Sequence, residues 1–399
     1  MSTCRTLAVL TPVSRVVAGR HVSTRVPFLD LRAQVDELGS ALHDAVGAVL
    51  TSQQCVLGPV VERFESAVAR YAGVRHAIGV GSGTDALVLA MAALGLRPGQ
   101  LVVTTAFTFF ATASTIVRLG ARPLFVDIDP ETMNLDPAAV AAALAAAPGD
   151  VAGVLPVHLY GRLAPMRELG RIAAPRGLWV VEDAAQAIGA RSDRMAGTIG
   201  QAGCLSFYPT KNLGGVGDGG MVLTDDDELA RRVRRDRHQG MVAPYVHESI
   251  GLCSRLDAVQ AAALLAKLPS LDAWNARRRA VAARYASGLT AAGVAGGDGA
   301  PLVLPAVAGE AHVFHQYVVR SRDRDALAAH LAARGIGTQV YYPIPLHRQP
   351  ALAGHVVVPV PLPHTERAAA EVLALPIYPQ LTDAQIDLVI AEIVAFHRA

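Results

Sequence analysis

His76-Ala77-Ile78-Gly79-Val80 runs directly into Gly81-Ser82-Gly83-Thr84-Asp85-Ala86, and the fold class is decided at this junction. A short apolar run ends in glycine, and an Ala- and Leu-rich helix pattern opens behind it, from Asp85 to Leu94. That is the signature of a strand feeding a helix. The alternation recurs as far as Thr224. Leu101-Val102-Val103, Pro123-Leu124-Phe125-Val126, Gly153-Val154-Leu155-Pro156-Val157, Leu178-Trp179-Val180-Val181 and Gly220-Met221-Val222-Leu223 are each short enough for buried strands, with a second helix candidate over Pro137 to Ala146. Strands alternating with helices predict an α/β domain with a mostly parallel sheet.

Past this region a long charged helix is expected from Leu256 through Tyr285, followed by Gly-rich, weakly patterned sequence from Ala291 to Ala300. The change of texture marks a domain boundary. The remainder, with a strand-like Gln316-Tyr317-Val318-Val319, a helix from Asp323 to Arg334 and a terminal helix from Asp383 to His397, reads as a smaller α+β domain. The expected organisation is an N-terminal extension over residues 1–25, a large domain over 26–290 and a small one over 291–399. The extension carries Arg5, Arg15, Arg20 and Arg25 without an acid, a composition shared by transit peptides, disordered leaders and misplaced start sites. Folded sequence is expected from Val26-Pro27-Phe28-Leu29-Asp30-Leu31 onward.

Composition narrows the function. The 399 residues are 52% hydrophobic and 18% charged, yet every apolar run is far shorter than the roughly 20 residues a membrane helix needs. A net charge of +2, from 36 basic and 34 acidic residues, provides no footprint for a nucleic-acid backbone, so a small-molecule substrate is favoured. Cys4, Cys55, Cys204 and Cys253 form no C-x-x-C pair, which points to neither a metal site nor a disulfide framework and fits a reducing, cytoplasmic setting.

Three short segments carry chemistry. Gly81 to Ala86 offers backbone amides and a helix N-terminus to a phosphate. The same residues match G-x-G-x-x-A, the dinucleotide fingerprint, but the acid that motif expects about 20 residues later is missing: Val103 to Thr108 reads Val-Thr-Thr-Ala-Phe-Thr. Val180-Val181-Glu182-Asp183-Ala184-Ala185-Gln186 puts a carboxylate at a strand end, where ligands sit in open α/β sheets. Asp183 there can pair with a cationic ring nitrogen, or merely cap a helix. Ser206-Phe207-Tyr208-Pro209-Thr210-Lys211-Asn212-Leu213-Gly214-Gly215-Val216-Gly217-Asp218-Gly219-Gly220 holds one lysine between a strand-like run and a glycine-rich loop. An amine so placed can form an imine with an aldehyde cofactor and carry a proton. Singly, such a lysine is ordinarily a solvated surface residue. Phosphate loop, strand-end acid and loop lysine in this order are what one cofactor, pyridoxal phosphate, requires.

These segments resemble the motifs of the DegT/DnrJ/EryC1/StrS aminotransferases, and the resemblance covers nearly the whole chain from Val26 onward. It implies the fold-type I architecture: a large domain on a mostly parallel seven-stranded sheet, and a smaller C-terminal α+β domain. It also implies pyridoxal 5′-phosphate as cofactor, with Lys211 as the Schiff-base lysine, Asp183 the pyridinium partner and Gln186 beside the ring hydroxyl. Gly83, Thr84, Asp85 and Ser206 would contact the phosphate, and Phe109 would stack on the ring. Gly251 to Ala262 and Gly335 to His347 look closest to the branch acting on nucleotide-linked 3-keto-6-deoxyhexoses. The reaction implied is transfer of an amino group from glutamate or a similar donor to a nucleotide-linked keto-deoxysugar, in a homodimer whose sites take residues from both chains. Two departures stand out. Cys253 replaces an Asn that reaches the neighbour's cofactor phosphate, and Tyr341 stands where His is frequent.

His312, His315 and His347 are candidates for the sugar site, with a structural role equally open to each. Rival readings are a cyclitol (inosose) aminotransferase, a non-catalytic cofactor-binding protein, a sugar dehydratase, against which Lys211 argues, and a dehydrogenase, against which the missing acid argues.

Overall fold

The computed structural model describes residues 26–296 and 299–398, so the expected N-terminal extension lies outside the described residues. Strands β1 (His76–Val80), β2 (Leu101–Thr105), β3 (Arg122–Val126), β4 (Val151–Val154), β5 (Trp179–Asp183), β6 (Ala202–Ser206) and β7 (Gly220–Thr224) form one seven-stranded sheet in the order β1-β7-β6-β5-β4-β2-β3. Only β7 runs antiparallel to its neighbours, and the other pairings are parallel. The mostly parallel seven-stranded α/β architecture is therefore as expected. β2 and β7 are buried at every position, as strands covered on both faces must be, which is why they read as unbroken apolar runs.

The strand ahead of Lys211, β6, does not stand out as an apolar run because Gly203 and Ser206 interrupt it. Both have tertiary reasons. A Cβ on Gly203 would lie 2.0 Å from the Gly197 carbonyl oxygen, so only glycine lets the 197–200 turn pack on the strand. Ser206 belongs to the candidate site.

The single helix expected over Leu256 to Tyr285 is two helices, Ala258–Lys267 and Leu271–Ala291, joined by the turn Leu268–Ser270. Pro269 has no amide to continue the ladder, and its ring crowds the preceding turn. The second helix serves two cores. Leu271 packs with Phe64, Phe207 and Leu213 beneath the large sheet. Val281, Tyr285 and Leu289 pack with Tyr317, Leu327 and Ile386 around a smaller antiparallel sheet. That sheet has the order β10 (Leu302–Val303), β11 (Tyr317–Ser321), β12 (Val372–Leu375), after a two-stranded hairpin β8 (Met241–Ala243) and β9 (Val246–His247). The terminal helix Asp383–Arg398 completes the second core, and Val26 reaches it through backbone bonds with Gly335 and Gly337. Among the described residues no helix is long and apolar enough to cross a membrane.

One buried carboxylate organises the sheet's C-terminal edge. Glu182 and His158 are both fully buried, with Glu182 Oε2 2.8 Å from His158 Nε2. The same carboxylate accepts the amides of Gly197 at 2.8 Å and of Ile199 and Gly200 at 2.6 Å. Because the Ala164 amide donates to His158 Nδ1 at 3.0 Å, the ring proton sits on Nε2 and is donated to Glu182. Glu182→Gln would turn an NH2 group toward backbone donors. We expect it to cost roughly 3 to 5 kcal/mol of unfolding free energy. Urea titration checks this, and a loss below about 1 kcal/mol would remove the clamp from the list of stabilising elements.

Candidate active site

The phosphate-type loop is built by three strands. After β1, Ser82 caps the helix Gly83–Ala93, its hydroxyl accepting the Asp85 amide at 3.1 Å. A helix leaves its first amides without intrahelical acceptors, so with Asp85 capped the donors of Gly83 and Thr84 remain for an anion. Gly83 rests on the end of β6: a Cβ there would lie 2.8 Å from Ser206 Cβ. A Cβ on Gly220, at the start of β7, would lie 2.3 Å from the Ser82 backbone. The loop can therefore pack directly on the ends of β6 and β7 only because both positions lack side chains, which brings the Ser206 hydroxyl beside the Gly83 backbone.

Asp85 contributes differently. Its carboxylate accepts the Ser254 hydroxyl at 2.8 Å, and Ser254 Oγ accepts the Gly81 amide at 3.0 Å. Asp85 and Ser254 therefore brace the loop from behind. Ser254 escaped the sequence reading because a lone serine carries no pattern. Its neighbour Cys253 is exposed, and the thiol accepts from Arg255 Nη2 at 3.1 Å.

Asp183 ends β5 and is 6% exposed. The side chain of Thr112 donates to Oδ2 at 2.8 Å and the Ala185 amide to Oδ1 at 3.2 Å. Burial raises its pKa, and these two hydrogen bonds and the charge of Lys211 oppose that rise. These contacts favour the carboxylate form against the burial that disfavours it. Gln186 is also buried, its Oε1 accepting the Tyr160 amide at 2.6 Å and its Nε2 donating to the Tyr342 hydroxyl at 3.2 Å. Phe109, by contrast, is 57% exposed and lies 6.2 Å, centroid to centroid, from Tyr342, at the open side of the site.

Lys211 faces Asp183 across this site. Desolvation pushes its amine down to about 8, while the Asp183 charge pulls the other way. The loop that carries it is tied on three sides. Asn212 Nδ2 donates to Asn275 Oδ1 at 2.8 Å and to the Val313 carbonyl at 3.2 Å. The buried Lys267 donates to the Gly214 carbonyl at 2.8 Å, and Gln260 accepts the Val216 amide at 2.8 Å. Of the three histidines, only His315 joins this network, with Nδ1 3.2 Å from Asn212 Oδ1. Burial and the charges of Lys211 and Arg278 push it well below its usual range, so it stays neutral. His347 is bound to Glu366 at 2.7 Å, and His312 lines a separate cavity.

A phosphate cradle, a buried acid and a desolvated amine converge at one sheet edge. They fit pyridoxal phosphate, since the Gly83 and Thr84 amides at the helix N-terminus suit its phosphate, the Asp183 carboxylate a cationic ring nitrogen and the Lys211 amine its aldehyde. The sequence pattern of the DegT/DnrJ/EryC1/StrS aminotransferase family matches residues 36–394. The chain is an aminotransferase of this family. The Streptomyces venezuelae dTDP-3-amino-3,4,6-trideoxy-alpha-D-glucose transaminase is 44% identical over 92% of this chain and 95% of its own length. A Geobacillus stearothermophilus relative named pleiotropic regulatory protein is 46% identical over 94% of this chain and 99% of its own. Among solved structures, ntda of Bacillus subtilis, with bound cofactor pmp, superposes with a TM-score of 0.86 at 31% identity, over 95% of this chain and 86% of that one.

In this aminotransferase the lowered pKa of Lys211 has a measurable consequence. Below pH 8 the folded amine is protonated, and its nucleophilic fraction rises about tenfold per pH unit until that midpoint, instead of near the usual 10.4. Competitive acetylation of cofactor-free protein, followed residue by residue by mass spectrometry, should place the Lys211 midpoint near 8. Asp183→Asn should move it lower, because it removes the charge that favours the ammonium. A midpoint near 10 would show that the amine is solvated.

Proposed function

We propose that the protein transfers an amino group from glutamate, or a donor of similar chemistry, to a nucleotide-linked keto-deoxysugar, using pyridoxal 5′-phosphate. The observation that carries this reading is the desolvated Lys211 amine facing the Asp183 carboxylate beside a phosphate cradle. When bound, the cofactor supplies a carbonyl that carries the amino group and a cationic ring that withdraws electrons from the reacting carbon. In this reading the amides of Gly83 and Thr84 and the Ser206 hydroxyl hold the phosphate, with Asp85 bracing their loop. Asp183, oriented by Thr112, keeps a proton on the ring nitrogen. Gln186 stands by the ring hydroxyl and Phe109 covers the ring face. Lys211 Nζ holds the cofactor at rest and moves the proton between carbons, a role suited to an amine whose pKa lies near 8.

The substrate class is supported by the transaminase relative, whose printed name specifies a dTDP-linked amino sugar. A non-catalytic role, suggested by the name of the regulatory relative, would leave the lowered amine and its buried partner without a use. Assembly into a dimer with shared sites is supported by apolar side chains left in solvent along the hairpin region: Tyr245 is 95% exposed, Val246 52% and Ile250 entirely.

Incubation with nucleotide-linked 3-keto and 4-keto deoxysugars plus glutamate should produce an amino sugar and 2-oxoglutarate with ping-pong kinetics, measured by mass spectrometry. Lys211→Ala should abolish turnover. Aminated inososes in place of sugars would change the substrate class, and no amination of any ketone would overturn the reading.

Cys253 provides a second test. A thiol donates hydrogen bonds poorly, and a missing bond to a charged group costs roughly 1.5 to 3 kcal/mol, or about 10- to 150-fold in affinity. Cys253→Asn should therefore slow loss of pyridoxal phosphate during dialysis. Equal or faster loss would take Cys253 out of the cofactor site.

A further inference from the structure

Apart from the Lys211 site, a cavity of about 250 Å³ opens where the turn after β3 meets the small sheet. Its walls include Met133, Leu159 and Val318, which are apolar, and three nitrogen-bearing side chains, Arg162, His312 and Arg320. Lys211, Asp183, Gln186, Phe109 and Ser206 do not line it.

Two of the three polar side chains, His312 and Arg320, hold buried nitrogens without partners. His312 is 3% exposed, and neither ring nitrogen closes a hydrogen bond of normal geometry, although the Tyr160 carbonyl approaches the ring. Its ring stacks on Phe314 with centroids 3.7 Å apart, so it cannot turn away to find a partner. Arg320 Nε is buried and unpartnered, and its Nη1 stands 3.6 Å from Glu371, beyond hydrogen-bond length. Arg162 donates through Nη1 to the Ala306 carbonyl at 2.9 Å, and burial lowers its pKa. Buried polar groups are normally paired, and two exceptions on one cavity, His312 and Arg320, call for an occupant. Two guanidinium groups present N–H forks that match a carboxylate. The apolar wall asks for a carbon body, and His312 offers one donor and one acceptor. Glu131 on the cavity wall and Glu371 beside Arg320 offset the two cations, which favours a single negative charge over a polyphosphate.

We propose that this cavity is a second binding site, for a small monocarboxylate with an apolar body, held by Arg162 and Arg320 and hydrogen-bonded by His312. An occupant would also touch Tyr160, whose amide holds Gln186 and whose hydroxyl donates to the Tyr341 carbonyl. Binding there would stiffen the shelf on which Gln186 stands.

The test is calorimetric titration of the holoenzyme with benzoate, with benzamide as the uncharged isostere and with inorganic phosphate. Benzoate should bind saturably at millimolar concentration or below, and benzamide and phosphate at least tenfold more weakly. Arg162→Gln and His312→Phe should each weaken benzoate about tenfold or more, whereas Lys211→Ala should leave it unchanged. His312→Phe keeps the stack on Phe314 and removes the unpaired nitrogens, so it should fold. No saturable benzoate binding, phosphate binding of equal strength, or benzoate binding lost in Lys211→Ala but kept in the cavity variants would each overturn the proposal.

Discussion

Everything at the working edge of this protein depends on a carboxylate that does no chemistry. Glu182 is fully buried in β5, and taking an ion out of water costs several kcal/mol. Three backbone amides and the His158 imidazole converge on it and offset that cost with charge-assisted hydrogen bonds. The outcome is positional. Successive side chains of a strand point to opposite faces, so anchoring Glu182 on one side aims its neighbour Asp183 to the other. The His158 amide completes the lock by donating to the Asp183 carbonyl at 3.0 Å.

The site in front of this anchor is a balance of two desolvated groups. Burial works against charge on both, raising the pKa of Asp183 and lowering that of Lys211, and each partner's charge resists the other's shift. Neither could be tuned alone. Removing the acid would neutralise more of the amine, and removing the amine would leave the acid with Thr112 and Ala185 as its main support. Because the lysine loop is held by Asn212, Gln260 and Lys267, this balance is set before any ligand arrives, which is the condition for electrostatic preorganisation.

The second core matters to the first through the helix Leu271–Ala291. Asn275 on that helix bonds the lysine loop through Asn212 and the Ile188 carbonyl through its own amide. One turn on, the buried Arg278 donates to the carbonyls of Phe314, His315 and Ile377 from the small-sheet side. Movement of the small sheet would therefore be felt at Lys211, and the side-chain cavity below Tyr160 lies in the same seam.

What the sequence determined by itself was whatever depends on local pattern. Apolar runs ending in glycine specify the strands and their alternation with helices, because burial on both faces forces continuous hydrophobicity. The three motifs around Gly83, Asp183 and Lys211 were legible because their spacing from strand ends is local. What only the tertiary structure decided concerns groups brought together across the chain: Thr112 on Asp183, Ser254 on Asp85, Tyr160 and Tyr342 on Gln186, and the tethers of the lysine loop. The glycine in β6 belongs there too, because a neighbouring carbonyl occupies the space of a Cβ, whereas the break at Pro269 is local, set by a residue with no amide to continue the helix. A hydrogen bond between residues 71 positions apart leaves no period in the sequence, since it is written by how sheets and helices pack and by nothing the two residues share along the chain.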